Sequence, residues 1–484
     1  MATPIPKNTA RFTFGQVAKA CSGKLQGATA GGQVHGVTTD SRSIVPGELY
    51  VALKGEHHDG HGYLAQAQAA GAAAAIVSDA SAGPEGLPLI VVADTRRALG
   101  DLALAHRRRW AGKLVAITGS AGKTTTKELT AAALAGTGKR VHATVGNLNN
   151  DIGLPMTLLG LTTEHDVAVV EIGTSGPGEI ARLTEICEPN AGVVTTVALA
   201  HVERLTSLEA VADEKCALLR ALPVDGVAIY GRDSAPLEAR RSTFTAGRVL
   251  GFGETDGAEF RLARRELRSN MTTHCTIDLS DPPRSLELDL KQFGIGPALD
   301  ATAALALILA WQPADEVQPA AAALSAVEPL PGRMRPVRGR GESLIIDDTY
   351  NANPASMRSS ISALRELARL RRGRAIAVLG DMAELGVHSQ AEHERLGLEL
   401  VSAGVADAFL CGPMMEHAVR TARSEVKKKR AKGPRVEHCS DALAALPELM
   451  RSLSASDVVL VKGSRSMKME VVVDALRFDK AGGG

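Results

Sequence analysis

The chain has 484 residues, of which 45% are apolar, 23% charged and only 3% aromatic, with a formal net charge of +1. The length suits about three domains of ordinary size. Near-neutrality excludes a large electrostatic footprint for nucleic acid or acidic membrane, and the shortage of aromatic rings argues against stacking platforms for bases.

Basic runs at 371–374 and 427–432 read as solvated helix ends or loops. Six scattered cysteines with no C-x-x-C pair point away from a disulfide framework or a structural zinc site, and they fit a reducing cytoplasm. The first fifteen residues have no apolar core of signal-peptide length, and the longest apolar run, around 303–311, is too short to cross a bilayer. A cytoplasmic protein is expected, monomeric by default, with no nucleic-acid partner.

In chain order, residues 1–110 mix short strands, predicted at 48–53, 72–77 and 87–92, with Ala-rich helical segments and end in a helix over 95–110. From 111 to 328, apolar β-like runs (114–118, 140–145, 167–172, 192–197, 226–230) alternate with helical stretches (124–135, 178–187, 207–222). The alternation predicts an α/β domain on a doubly wound parallel sheet with helices on both faces. After Gly251 the pattern becomes short alternating strands, which predicts an antiparallel appendage before an apolar helix at 298–309. Pro329, Pro331, Gly332 and Pro336 mark a hinge. Beyond it, strands at 343–347, 375–379, 408–411 and 458–462 alternate with helices as a Rossmann-like terminal domain over 329–484.

The stretch VAITGSAGKTTTKEL sets Gly119, Ser120, Ala121, Gly122, Lys123, Thr124 and Thr125 between a strand and a helix. Backbone N–H groups of such a turn cradle phosphate oxygens; Lys123 would neutralise the β/γ-phosphates and the Thr124 hydroxyl would suit Mg²⁺. The first glycine of the usual G-x-x-x-x-G-K-[ST] pattern would fall on Ile117, so the loop is short. Binding of ATP or GTP follows. Glu171 ends the apolar strand DVAVVEIG, His201 follows the next strand, and Lys215 lies in the helix SLEAVADEKCALL. Singly these are ordinary loop or helix residues; together, beside a P-loop, they suggest a second divalent-metal site. The clusters GNLNND and DDTYNANPASM are turn sequences first, yet both begin at strand ends, where α/β sheets hold ligands.

In this combination the chain resembles the Mur ligase family of cell-wall peptide ligases over nearly its whole length. TTDSRSIVPGELYVALKGEHHDGHGYL is similar to the family's UDP-sugar-binding segment, and TGSAGKTTTKE to its short P-loop. GNLNNDIGLP, PLPGRMR, IDDTYNANPASM, LGDMAELG and VKGSRSMKME resemble the branch that adds D-alanyl-D-alanine. The resemblance implies ATP-driven amide synthesis. The carboxylate of a UDP-N-acetylmuramoyl tripeptide would take the γ-phosphoryl group of ATP, and the amine of D-alanyl-D-alanine would attack the acyl phosphate.

The same resemblance implies that residues 119–125, with Arg333 and Asp348, bind ATP. Thr124 would hold one Mg²⁺, and Glu171 and His201, with Lys215 as a carbamate, would hold a second. Asp40, Ser41 and Arg42 would lie near the uridine diphosphate, with Arg42 as a charge partner. Asn147, Asn149 and Asn150 would lie where the substrate or the transferred phosphate passes, and Asn351, Asn353, Pro354, Lys462 and Arg465 would face the dipeptide. One segment departs. Where the family has H-N-x-x-N-A, this chain reads GPALDA, with Gly296, Pro297 and Asp300, which leaves the adenine contacts there open.

Rival readings are a sister ligase adding the third amino acid, a folylpolyglutamate synthase, a muropeptide recycling ligase, and a nucleotide-gated binding protein without catalysis. The DSR…DGH block disfavours the folate enzyme, and GNLNN with YNANP disfavours the third-residue ligase. The set Lys123, Thr124, Glu171, His201 and Lys215 disfavours a mere binder.

Overall fold

The strand Lys113–Thr118 lies inside the largest sheet, and its alternation shows why. Leu114 and Ala116 face one side while Val115 and Ile117 face the other, and all four are fully buried. A strand apolar on both faces needs helices on both sides. Lys123–Gly136 and Ile295–Trp311 cover one face; Gly153–Leu159, Glu179–Cys187 and Leu208–Arg220 cover the other. These relations come from a computed structural model that describes residues 3–55, 58–199, 202–311, 316–429 and 433–478.

The chain is a three-domain α/β protein. Its central sheet has nine strands. Six of them run parallel, in the order Val141–Ala143, Val167–Glu171, Lys113–Thr118, Ala191–Val194, Val227–Gly231 and Arg248–Gly253. Phe260–Leu267 then joins through a two-residue parallel register and continues into the antiparallel strands Thr273–Ser280 and Pro283–Leu290. The antiparallel region expected after Gly251 is therefore not a separate sheet but an extension of the central one. The terminal sheet has six strands, of which Leu344–Asp348, Val458–Lys462, Ala375–Gly380, Asp407–Cys411 and Arg435–Cys439 are parallel. The N-terminal part holds a five-stranded and a two-stranded sheet.

Two junctions fix how these units sit. The helix Thr95–Arg107, N-capped by the Asp94 carboxylate, packs into a core shared by the N-terminal and central units. Its buried Arg107 donates to the carbonyls of Cys187 and Glu188, satisfying the end of the helix Glu179–Cys187. At the other junction, Leu267, Met271 and Phe293 of the central unit pack into the terminal core. Arg265 makes a two-pronged ion pair there with Glu366 of the helix Pro354–Arg371, at 2.8 and 2.7 Å. Among the described residues, no helix is long and apolar enough to cross a membrane.

The Arg265–Glu366 pair is shielded on both sides, with side-chain exposures of 18% and 30%. In a double-mutant cycle of urea unfolding, Arg265→Met and Glu366→Leu should show a coupling of about 1 kcal/mol. Strictly additive effects would mean that Leu267 and Met271 hold the junction without it.

Candidate active site between the central and terminal domains

The P-loop leaves the end of Lys113–Thr118, between the neighbouring strand ends that carry Glu171 and Thr195. Gly119 has φ +152°, and a Cβ there would lie 1.9 Å from the Thr195 hydroxyl. That hydroxyl donates to the Ala121 carbonyl at 2.5 Å, so Thr195 braces the turn from below. Gly122, at φ +81°, opens the helix Lys123–Gly136, and a Cβ on it would lie 2.2 Å from Asp300. Ile117, where a longer loop would begin, is instead a buried strand residue paired on both sides. Ser120 is bound to the chain after Ala191–Val194: its N–H donates to the Thr196 carbonyl and its hydroxyl to the Ala198 carbonyl. The Lys123 ammonium folds back on the Gly119 carbonyl at 2.7 Å. Burial pushes its pKa down; Glu171 opposes the shift and Arg333 adds to it.

Glu171 is almost fully buried, with both oxygens met. One accepts from the Thr124 hydroxyl and the other from the Asn149 amide, each at 2.7 Å, while its own N–H donates to the Thr144 hydroxyl at 3.0 Å. The Asn150 side-chain oxygen accepts the N–H groups of Ile152 and Gly153, where the helix Gly153–Leu159 begins. Asn147 accepts from the Thr3 hydroxyl. Lys215 is buried on Leu208–Arg220, and its ammonium is pushed down to about 7, first by desolvation and then by the charge of Lys123; Glu214 opposes this. Among the described residues, no three His, Cys, Asp or Glu cluster as a ready-made metal cage. The Thr124 hydroxyl and the Glu171 carboxylate are hard oxygen donors facing the P-loop. They suit Mg²⁺, which takes one or two carboxylates beside nucleotide phosphates and keeps its waters. His201 lies outside the described residues.

The opposite wall belongs to the terminal domain. Asn353 caps the helix Pro354–Arg371 and donates from its amide to the Ser120 carbonyl of the P-loop at 3.2 Å. Arg333 lies over the Tyr350 ring at 4.0 Å. Asp348 is committed internally, accepting from Met334 N–H, the Ser360 hydroxyl and, at 2.6 Å, Lys462; that ammonium also donates to the Asn351 carbonyl. The two walls enclose a cleft of about 750 Å³, lined by residues 120–125, the three asparagines at 147, 149 and 150, Glu171, Arg333, Asp348, Asn351, Asn353 and Lys462. Lys215, Arg465 and the Asp40–Arg42 segment do not line it. Arg465 pairs with Glu470, Arg42 forks onto Asp40 and holds that carboxyl below its usual range, and the Ser41 hydroxyl donates to Gln66.

Three family descriptions match in order along the chain: Mur ligase family, catalytic domain, over 33–107; Mur ligase middle domain over 117–308; and Mur ligase, glutamate ligase domain, over 332–465. The chain is also 38% identical over 469 residues to the UDP-N-acetylmuramoyl-tripeptide–D-alanyl-D-alanine ligase of Escherichia coli, covering 96% of this chain and 98% of that one. The chain belongs to the Mur ligase family. The Bacillus subtilis enzyme of the same name is 34% identical to this Mur ligase, covering 92% of this chain and 93% of that one. Among solved structures, MurF from Acinetobacter baumannii superposes with a TM-score of 0.86 at 30% identity, covering 98% of this chain and 99% of that one. The Thermotoga maritima MurF ligase in complex with ADP superposes at 0.79 and 27% identity, covering 91% and 96%.

One group in this Mur ligase's cleft, Thr195, escaped the motif reading, and Asp300 entered it only as a departure from the family pattern with its contacts left open. Thr195 looks like any β-branched strand residue. Asp300 had a signal, as the lone carboxylate in the otherwise apolar helix Ile295–Trp311. The atypical GPALDA segment lines the cleft through Gly296, Pro297, Leu299 and Asp300. Asp300 accepts from the Thr126 hydroxyl at 3.0 Å, and burial pushes its pKa from 3.8 to about 8. The folded Mur ligase therefore holds a proton there that the unfolded chain releases near 3.8, and this residue's contribution to stability falls as pH rises between those values. Asp300→Asn removes that slope. Its melting temperature relative to the parent should rise from about pH 5 to about pH 8, whereas a pH-independent difference would place an ionised carboxylate in the cleft.

Proposed function

We propose that this chain joins D-alanyl-D-alanine to the free carboxylate of a UDP-N-acetylmuramoyl tripeptide in an ATP-dependent reaction that releases ADP and phosphate. One observation carries the reading: Asn353 of the terminal domain touches the P-loop carbonyl of Ser120. The nucleotide loop and the YNANP loop are therefore two walls of one cleft, with room between them for two substrates and the transferred phosphoryl group. The full-length likeness to ligases of that name supports the choice of substrates.

A carboxylate is a poor acyl donor and must be activated. Its oxygen attacks the γ-phosphorus while the bond to ADP breaks; the dipeptide amine then attacks the acyl carbon, phosphate leaves and the amine loses its proton. The protein's part is positioning and charge screening, since both first reactants are anions. The P-loop N–H groups of residues 119–125 hold the phosphates. Lys123, released from the Gly119 carbonyl, meets the β/γ oxygens, and Arg333 adds positive charge from the terminal side. Mg²⁺ supplies Lewis-acid screening when bound, with Thr124, Glu171, His201 and carbamylated Lys215 as its holders. An amine takes up CO2 only in its neutral form, and the lowered pKa of Lys215 provides that form near neutral pH. Asn147, Asn149 and Asn150 border the tripeptide's path; Asn351, Asn353 and Pro354 border the dipeptide's, with Lys462 and Asp348 holding that loop in shape. Residues 1–110 take the UDP-sugar through the Asp40–Ser41–Arg42 turn, 111–328 the nucleotide and 329–484 the dipeptide. The cytoplasm, where these precursors and ATP meet, is the assigned compartment.

Phosphate release should require UDP-N-acetylmuramoyl tripeptide and D-alanyl-D-alanine together. Equal turnover with the dipeptide precursor and a diamino acid would overturn the assignment. Lys123→Ala should lower turnover by roughly 100-fold or more and leave binding of the UDP substrate intact; loss of both would show that the first 110 residues do not form an independent uridine site. With ¹³C-bicarbonate, a carbamate resonance should appear in the parent protein and vanish in Lys215→Ala; identical spectra would rule the carbamate out.

A further inference from the structure

Lys127 has no part in the chemistry above, yet it is as deeply buried as Lys215. It lies one turn beyond Lys123 on the P-loop helix and is 1% exposed. Its ammonium donates to the Thr144 carbonyl at 2.8 Å and contacts the Glu128 carboxylate. A methionine would fill the same volume without the desolvation cost of a buried ammonium, so packing alone does not explain a lysine here.

What it holds is specific. Val141–Ala143 is the edge strand of the central sheet, and its regular pairing with Val167–Glu171 stops at Ala143. One residue on, the Thr144 N–H makes a last backbone bond to the Val169 carbonyl at 3.1 Å, and side chains take the rest: the Thr144 hydroxyl accepts the Glu171 N–H, and Lys127 donates to the Thr144 carbonyl. The loop then turns through Gly146, at φ +56°, and brings Asn149 back to the Glu171 carboxylate, with the Asn149 carbonyl receiving the Gly173 N–H. The far end of the loop is anchored by Asn150, which accepts the Gly153 N–H, and Lys127 supplies the charged anchor at the near end.

We propose that Lys127 is a positioning residue that clamps the Thr144–Asn150 loop to the P-loop helix and thereby sets the backbone and carboxylate of Glu171 toward the nucleotide. The inference rests on reading Glu171 as the Mg²⁺ carboxylate. It predicts that removing the ammonium loosens a group Lys127 never touches.

The test is thermal stabilisation of the full chain by ADP across a Mg²⁺ titration, read beside turnover. Lys127→Met should raise the Mg²⁺ midpoint and lower kcat by about tenfold or more, the range for a lost outer-shell partner, while ADP stabilisation without Mg²⁺ stays as in the parent. Lys127→Gln, which can still donate to Thr144, should shift the midpoint less. Thr144→Val, lacking only the hydroxyl under Glu171, should shift it in the same direction, and these two variants decide the matter if Lys127→Met does not fold. Glu171→Gln should abolish the Mg²⁺ effect. Parent-like midpoints in the Lys127 and Thr144 variants, beside loss in Glu171→Gln, would overturn the role of Lys127 alone. A Mg²⁺ effect surviving in Glu171→Gln would overturn the reading of Glu171, and this proposal with it.

Discussion

A buried carboxylate is tolerated only when its oxygens are met, and the cleft is organised around that constraint at Glu171. Its two oxygens are taken by Thr124 from the P-loop helix and Asn149 from the loop after the edge strand, and its N–H by Thr144. Two segments, the P-loop helix and the loop over 144–149, are thereby held to one residue at the end of one strand. The other flanking strand does the same for the turn itself, through Thr195 beneath Ala121 and through Thr196 and Ala198 on Ser120. Strand ends fix where the P-loop sits; the loops between them follow.

Glycine and aspartate at the P-loop are complementary consequences of that crowding. Gly119 and Gly122 occupy backbone conformations and spaces that a side chain could not share with Thr195 and Asp300. Asp300, in turn, stands where desolvation outweighs a single hydroxyl hydrogen bond, and so favours the neutral acid. Two carboxyl groups of the cleft, Glu171 and Asp300, thus have opposite environments: one is ringed by donors, the other is carried on a largely apolar helix and meets a single hydroxyl.

Much of this was legible in the sequence because strand alternation and the glycine-lysine-threonine run are local signals. The strands at 113–118, 167–171, 375–380 and 458–462 have apolar interiors, and their boundaries fall within a residue or two of those expected. Lys24–Gln26 and Arg435–Cys439 were missed because they are edge strands that interleave polar residues with apolar ones. The continuity of the antiparallel extension with the central sheet rests on a two-residue register, which no composition reveals. Site residues named by motif fall into two kinds that the motif cannot separate. Arg333 lines the cleft with its guanidinium stacked on the Tyr350 ring, whereas Asn149 with Glu171 and Asp348 with Lys462 line it as pairs that satisfy each other. Pairing partners lie more than a hundred residues apart, so only the fold shows which polar groups remain for a ligand.

The contact between Asn353 and the Ser120 carbonyl has a kinetic meaning beyond its single hydrogen bond. It places the cap of a terminal-domain helix directly on the P-loop backbone, so separating the domains would break a contact to that loop. If the loop holds the nucleotide as proposed, its release would be coupled to a rigid-body swing, and the closed cleft would keep an acyl phosphate from water until its amine has arrived.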